Sequence, residues 1–236
     1  MTVKILGIHS SPRNGATAAA LRYAFSKAEE IEGVETEFAD LRKGGANPCL
    51  HCGKCIKEKL YYCAVHNDAI SPLYEKIREA DGIILASPVY NMGPTPQLTS
   101  LISRLYPLGK CISTGEWGRK VGCGIAVGGC RNGGEETTLA VINRYFLTQG
   151  MVVAGAGVYA YSGASVWSND RHDDRVITED ERNRMVITAA VRRMAITARL
   201  IKTGIEATPE LQGFNIAGFI DEKERAAYLD AFWNRN

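Results

Sequence analysis

Cys49, Cys52 and Cys55 follow one another with two residues between each pair, and seven residues separate Cys55 from Cys63. Four thiolates from one short segment are a full ligand set for a [4Fe-4S] cluster, because closely stepped cysteines reach successive corners of a cubane. A zinc ribbon draws instead on two separated CxxC knuckles for one tetrahedral ion. The spacing therefore favours iron-sulfur over zinc. Pro48 and Gly53 help the segment turn. Lys54, Lys57 and Lys59 would offset a cluster's negative charge or attract an acidic electron donor, or form nothing more than a solvated basic face. His51 and His66 flank the group, but four thiols leave little need for them as ligands. The remaining three of the seven cysteines, Cys111, Cys123 and Cys130, are scattered among apolar or glycine-rich neighbours and read as core or loop filling.

A second constellation is the run His9-Ser10-Ser11-Pro12-Arg13-Asn14-Gly15-Ala16-Thr17, between an apolar strand and an amphipathic helix. Free backbone N–H groups and the helix dipole make such a junction an anion site. Ser10, Ser11 and Thr17 supply hydroxyls, Arg13 a cation, and Asn14-Gly15 the freedom to wrap a phosphate. Small polar residues are common at the first turn of any α/β domain, so this loop alone leaves the matter open. Neither GxxxxGK[ST] nor GxGxxG is present. A monophosphate is the simplest guest.

Two further loops fall at the ends of later strands: Ser87-Pro88-Val89-Tyr90-Asn91-Met92-Gly93 and Gly128-Gly129-Cys130-Arg131-Asn132-Gly133-Gly134. Ligands of open α/β sheets bind at the carboxyl ends of the strands. Tyr90 offers a ring against a flat ligand, and the glycines let main-chain N–H groups approach ring heteroatoms. Their joint placement suits an isoalloxazine, with Pro88, Val89, Tyr90, Asn91, Met92, Gly93, Gly128, Gly129, Arg131 and Gly133 around it. No catalytic acid or base stands out.

The elements that must position these loops alternate along the chain. Strands are expected at Val3–Ile8, Val34–Ala39, Gly82–Ala86, Val121–Val127 and Met151–Tyr159, and helices at Ala16–Glu30, Ser71–Glu79, Pro96–Leu105, Glu135–Thr148 and Glu179–Lys202. Such alternation predicts a parallel sheet covered by helices on both faces. We expect a doubly wound, flavodoxin-like α/β fold with five parallel strands in the order 2-1-3-4-5. Leu41 to Ile70, with the cysteines, forms an insertion after the second strand, and a loop of that length needs something to order it. A second interruption, Tyr161–Val176, reads as an active-site cover, a subunit contact or a solvated loop. The principal domain spans 1–204. Residues 205–236 form a C-terminal extension with a short helix at Asp221–Phe232, available for a subunit contact.

The chain has 236 residues and a formal net charge of +2, enough for one large domain. It shows no basic run for nucleic acid or a membrane surface and no long apolar span. MTVKILGIHSSPRNG reads as a buried strand and not a signal peptide, so a cytoplasmic protein is expected. In reducing cytosol an odd number of cysteines argues for metal or redox use over disulfides.

Taken as an ordered set, SSPRNGAT, CLHCGKC with Cys63, ADGIILASPVYNMGPTPQLTSLISRL, GGCRNGGEETTL and GMVVAGAGV resemble the archaeal and anaerobic bacterial iron-sulfur flavoproteins, relatives of NAD(P)H-dependent FMN reductases. The resemblance runs from Ile5 to about Thr203. It implies FMN held by the three loops, a [4Fe-4S] cluster near the flavin, and a homo-oligomer, a tetramer in this family, in which cluster and flavin of different subunits approach. Carried over by position, Ser11, Arg13 and Thr17 would hold the phosphate, the loops Pro88 to Gly93 and Gly128 to Gly134 the ring, and the four cysteines the cluster. The phosphate loop is one residue shorter than the family's usual form, and Met92-Gly93-Pro94 departs from its pattern.

The expected protein is thus an FMN-dependent oxidoreductase that passes electrons between cluster and flavin. Its partner would be a small-molecule or protein donor or acceptor, such as NAD(P)H or a ferredoxin-like protein. Two other readings stay open: an NAD(P)H-dependent FMN or quinone reductase without a cluster, and a non-enzymatic electron carrier or zinc-stabilised binding module.

Overall fold

The computed structural model describes residues 1–109 and 116–208, together with residues 223, 226, 227, 230 and 231. Cys111 and most of the helix expected at Asp221–Phe232 lie outside the described residues. In chain order the elements are β1 Val3–His9, α1 Ala16–Ala28, β2 Val34–Asp40, α2 Lys54–Lys57, α3 Leu73–Glu79, β3 Gly82–Pro88, α4 Pro96–Arg104, β4 Val121–Gly128, α5 Glu135–Thr148, β5 Val152–Val153, β6 Ala164–Trp167, α6 Arg175–Thr178 and α7 Glu181–Ala207. The strands form one parallel sheet in the order β2-β1-β3-β4-β5, with β6 also paired to β4.

Burial on both faces explains why the middle strands are continuous apolar runs and not alternating ones. β4 is buried at all eight positions. On one face Leu21 and Phe25 of α1 pack with Ile187, Val191 and Met194 of α7; on the other, α3, α4 and α5 contribute Ile77, Leu98, Leu101 and Phe146. The glycines of β4 belong to this packing: a Cβ at Gly122 would lie 2.4 Å from the Phe146 ring. Asp180 caps the start of α7, its side chain accepting from the Asn183 N–H at 3.0 Å. The helix ends at Ala207, beyond the boundary expected at residue 204.

The fifth strand position departs from expectation. Met151–Tyr159 is not one strand: β5 pairs with only Val121 and Gly122, the chain loops out, and β6 returns to pair with Ile125–Gly128. Part of the segment Tyr161–Val176 is therefore sheet. The return is fixed at Gly163, which sits at φ +131 with its α-carbon so close to β4 that a Cβ would be 2.7 Å from the Gly124 carbonyl oxygen. Only glycine suits that combination.

Candidate functional site

In the order β2-β1-β3-β4 the chain runs from β1 toward β2 and from the adjacent β3 the opposite way toward β4, which opens a crevice at the carboxyl ends of β1 and β3. Three loops meet there. Residues 10–15 lead into α1, whose N-cap Gly15 offers no side chain to the first turn, so its N–H groups remain available to an anion. Ser11 Oγ accepts from the Arg13 N–H at 3.1 Å and shapes the turn. Arg13 is exposed, and among the described residues no carboxylate pairs with it. Thr17 is buried in the first turn of α1.

Ser10, expected at the phosphate, is engaged within the protein. Its hydroxyl donates to the Ala86 carbonyl at 3.0 Å, and Thr95 Oγ1 lies 3.1 Å from the Ser10 carbonyl and 3.0 Å from its hydroxyl. Ser87 Oγ accepts from the Thr95 N–H at 3.1 Å. Thr95 also caps α4, with Pro96 as its first residue. This buried hydroxyl knot joins the ends of β1 and β3 to the start of α4. A threonine before proline is the capping signal that sequence reading passed over.

The second loop is a two-residue turn. Tyr90 and Gly93 exchange backbone hydrogen bonds of 2.8 and 3.0 Å, with Asn91 and Met92 both at positive φ. Tyr90, Asn91 and Met92 are exposed, and Pro88, Val89 and Gly93 half-buried. The third loop touches this turn: a Cβ at Gly134 would lie 2.7 Å from Met92 Cα and 3.1 Å from Val89 Cγ1. Gly129 faces open space, so its main chain is accessible, whereas Gly133 packs on the Cys130 carbonyl and Gly128 on Glu135. Glu135 is buried at the start of α5, and among the described residues its Oε2 has no partner, as is true of Thr138 Oγ1. Arg131 lies over the Trp167 ring, 4.4 Å from its centroid, and Trp167 Nε1–H donates to the Gly129 carbonyl at 3.1 Å. Trp167 thus supports the third loop, a role legible only once β6 is known to pair with β4. The segment after β6 bears on the phosphate loop as well, since a Cβ at Gly15 would meet the His172 carbonyl oxygen at 2.4 Å.

The cysteines occupy a second concavity, at the other end of α4. Cys49, Cys52, Cys55 and Cys63 all line one cavity of about 300 Å³, and among the described residues none is in a disulfide. Burial pushes the Cys55 thiol up, and so do the nearby Cys49, Cys63 and Cys52. The His51 N–H points to Cys49 Sγ at 3.4 Å. Among the described residues no three His, Cys, Asp or Glu close on a single ion. Cys123, by contrast, is wholly buried in β4, and burial pushes its thiol up to about 12.

What orders the loop is Asp68. Its carboxylate accepts from the Asn47 N–H and Nδ2 at 3.0 Å each, from the Ile70 N–H at 3.1 Å and from Arg104 Nη1 at 2.5 Å. Burial raises the Asp68 pKa, but Arg104 and these N–H donors outweigh it and hold the group at about 2. The Cys49 N–H adds a contact to Ser103 Oγ at 3.3 Å. Both ends of the insertion are thereby tied to the last turn of α4.

The two concavities fit the groups expected of them on chemical grounds. The crevice offers an uncapped helix start, an unpaired arginine, accessible glycine main chain and open buried acceptors, which suit a phosphate and a heteroaromatic ring. The basin offers four unpaired thiols in mutual electrostatic contact. α4 joins the two, and its nine residues span about 13 Å at 1.5 Å each.

The chain is similar to known proteins in sequence and in fold. The family model for NADPH-dependent FMN reductase matches residues 3–165. An iron-sulfur flavoprotein of Methanocaldococcus jannaschii is 36% identical across 81% of this chain and 94% of its own length. One from Archaeoglobus fulgidus is 36% identical across 81% and 95%. Among solved structures, the flavodoxin, WrbA-like protein of Agrobacterium tumefaciens superposes with a TM-score of 0.57 at 16% identity, covering 84% of this chain and 99% of that one, a likeness of fold. Among the described residues no helix is long and apolar enough to cross a membrane.

Proposed function

This chain belongs to the NADPH-dependent FMN reductase family and with it to the iron-sulfur flavoproteins, and on that premise we propose that it moves electrons between FMN in the crevice and a [4Fe-4S] cluster in the basin. Its class is that of a flavin-dependent oxidoreductase. The observation that carries the finer reading is the pairing of a thiol-lined basin with the crevice through one helix, α4. When bound, FMN supplies exchange of electrons singly or in pairs, which lets a pair donor serve a one-electron partner.

The chain's own residues then have distinct work. Arg13, Ser11 and Thr17 hold the phosphate at the start of α1, where the helix dipole adds to the arginine's charge. Ser10, Ser87 and Thr95 lock the strand ends and keep the crevice open. Main-chain groups of 88–93 and 128–134 address the ring, and Trp167 holds Arg131 and Gly129 in place. The thiols of Cys49, Cys52, Cys55 and Cys63 hold the cluster. A donor of the NAD(P)H class is the first candidate on family grounds, and a ferredoxin-like protein the second.

Protein purified without oxygen should carry FMN, with iron and acid-labile sulfide in equal amounts, and both chromophores should be bleached by the physiological donor. Zinc without flavin would overturn the reading in favour of a binding module; flavin without iron would leave a reductase lacking a cluster. Arg13→Ala should weaken FMN binding by about 10- to 150-fold, from about 1.5–3 kcal/mol for a charge-assisted hydrogen bond. Titration of the apoprotein with FMN measures it, and unchanged affinity would move the phosphate elsewhere.

A further inference from the structure

Arg104 closes α4 at the edge of the cysteine basin, and its guanidinium is half used. Its side chain is wholly buried. Nη1 donates to Asp68 Oδ2 at 2.5 Å and lies 3.5 Å from the Asn47 carbonyl. Nε and Nη2 are buried and, among the described residues, have no partner. A buried donor left unmade costs about 1–3 kcal/mol, and more when the group is charged. The Tyr74 hydroxyl lies beside this guanidinium, but it donates to the Arg104 carbonyl at 2.9 Å and meets neither Nε nor Nη2 in a hydrogen bond, so two donors on one side chain still await an acceptor that the described residues do not supply. Asp68 is not that acceptor, because its two oxygens already take four N–H groups.

Arg104 lines the same cavity as the four thiols and is the one arginine that does so among the described residues. The side-chain acceptors there include the four sulfurs and the buried Nε2 of His66, and a single ring nitrogen can take at most one of the two donors. The basin's lysines serve less well: Lys54 is half-exposed and faces Glu58 at 3.8 Å, so water and salt screen its charge. A simple anchor for the loop would need only the contact to Asp68, which a lysine could make. The rigid fork offers two further donors at fixed angles.

We propose that Arg104 is a cluster-binding residue, whose free Nε–H and Nη2–H donate to sulfur of the [4Fe-4S] group in the basin and raise its reduction potential. This rests on the reading of the basin given above. Hydrogen bonds to cluster sulfur and buried positive charge both favour the more negative, reduced form. Arg104 therefore links two functions: through Nη1 it fixes the loop that carries the ligands, and through its other nitrogens it makes the cluster easier to reduce.

The test is an anaerobic potentiometric titration followed by electron paramagnetic resonance, comparing the unmutated protein with Arg104→Lys and Arg104→Gln. In both variants the cluster should become harder to reduce by tenfold or more in equilibrium constant, which is about 59 mV for one electron. The FMN potential should stay where it was. If the variants lose iron but the clusters that remain titrate as in the unmutated protein, Arg104 is only an anchor and the proposal is wrong. A second measurement needs no variant. With arginine labelled by ¹⁵N in the guanidinium, the reduced cluster of the unmutated protein should show a ¹⁵N hyperfine coupling. A cluster with no such coupling would sink the role of Arg104 alone, whereas protein without iron would sink the cluster reading and this inference together.

Discussion

Cys55→Ser should lose most of its iron and keep its FMN. Cys55 lies amid the other three thiols: it is half-buried, and Cys49, Cys63 and Cys52 all push its pKa in the same direction as burial does. A serine hydroxyl there offers neither the soft donor nor the ready anion that iron in a cubane takes. The flavin should remain because its loops follow β1, β3 and β4, whereas the cysteines sit in an insertion held by its own contacts to Asp68, Arg104 and Ser103. None of those contacts involves the Cys55 side chain. Cys123→Ala is the matched control, since that thiol is buried in β4 among apolar neighbours and stays protonated. Iron, sulfide and flavin per chain, measured on protein purified without oxygen, decide the matter. Full iron in Cys55→Ser would mean that the cysteines do not act as a set, and the crevice would still stand as the flavin site.

Where sequence periodicity and local chemistry agreed, the fold was legible. α5 has the expected bounds, Glu135–Thr148, because an acidic first turn follows glycines and the apolar spacing is regular. The strand order was legible for the same reason: buried parallel strands are continuous apolar runs, and their alternation with helices leaves few topologies. The split fifth strand was not. Ala164–Trp167 is four residues long and set among polar ones, so its strand character comes from β4 alongside it and not from its own pattern. Ser10 shows the same limit at the site. A hydroxyl in a phosphate loop invites assignment to the phosphate, yet its proton goes to the Ala86 carbonyl, a partner 76 positions away. Arg104 and Asp68 were missed because nothing near either residue in sequence indicates a buried charge pair. The four cysteines are close in sequence, and the fold brings them to one cavity as their spacing suggested.

The contact between the two ring loops should be the most sensitive point of the crevice, and Gly134→Ala should reveal it. Gly134 precedes α5 at φ +107, a conformation that L residues adopt only under strain of about 1–3 kcal/mol. The added methyl would also meet Met92 Cα at 2.7 Å, a backbone atom that no change of rotamer can move aside. Met92 is itself held at φ +67 inside the turn closed by Tyr90 and Gly93, so the whole turn would have to shift away from the third loop. Stability should fall by about 2–3 kcal/mol, and FMN should bind at least about tenfold more weakly as the loops part, a tenfold loss being about 1.4 kcal/mol. Gly150→Ala separates the two causes. Gly150 has φ +75 but nothing within 4 Å of a new Cβ, and it lies after α5. Its substitution should cost only the conformational strain and leave FMN affinity alone. Chemical denaturation and flavin titration of the two proteins give the comparison. If Gly134→Ala unfolds no more easily than Gly150→Ala and binds FMN as the unmutated protein does, the close approach of the loops at Met92 does not shape the flavin site.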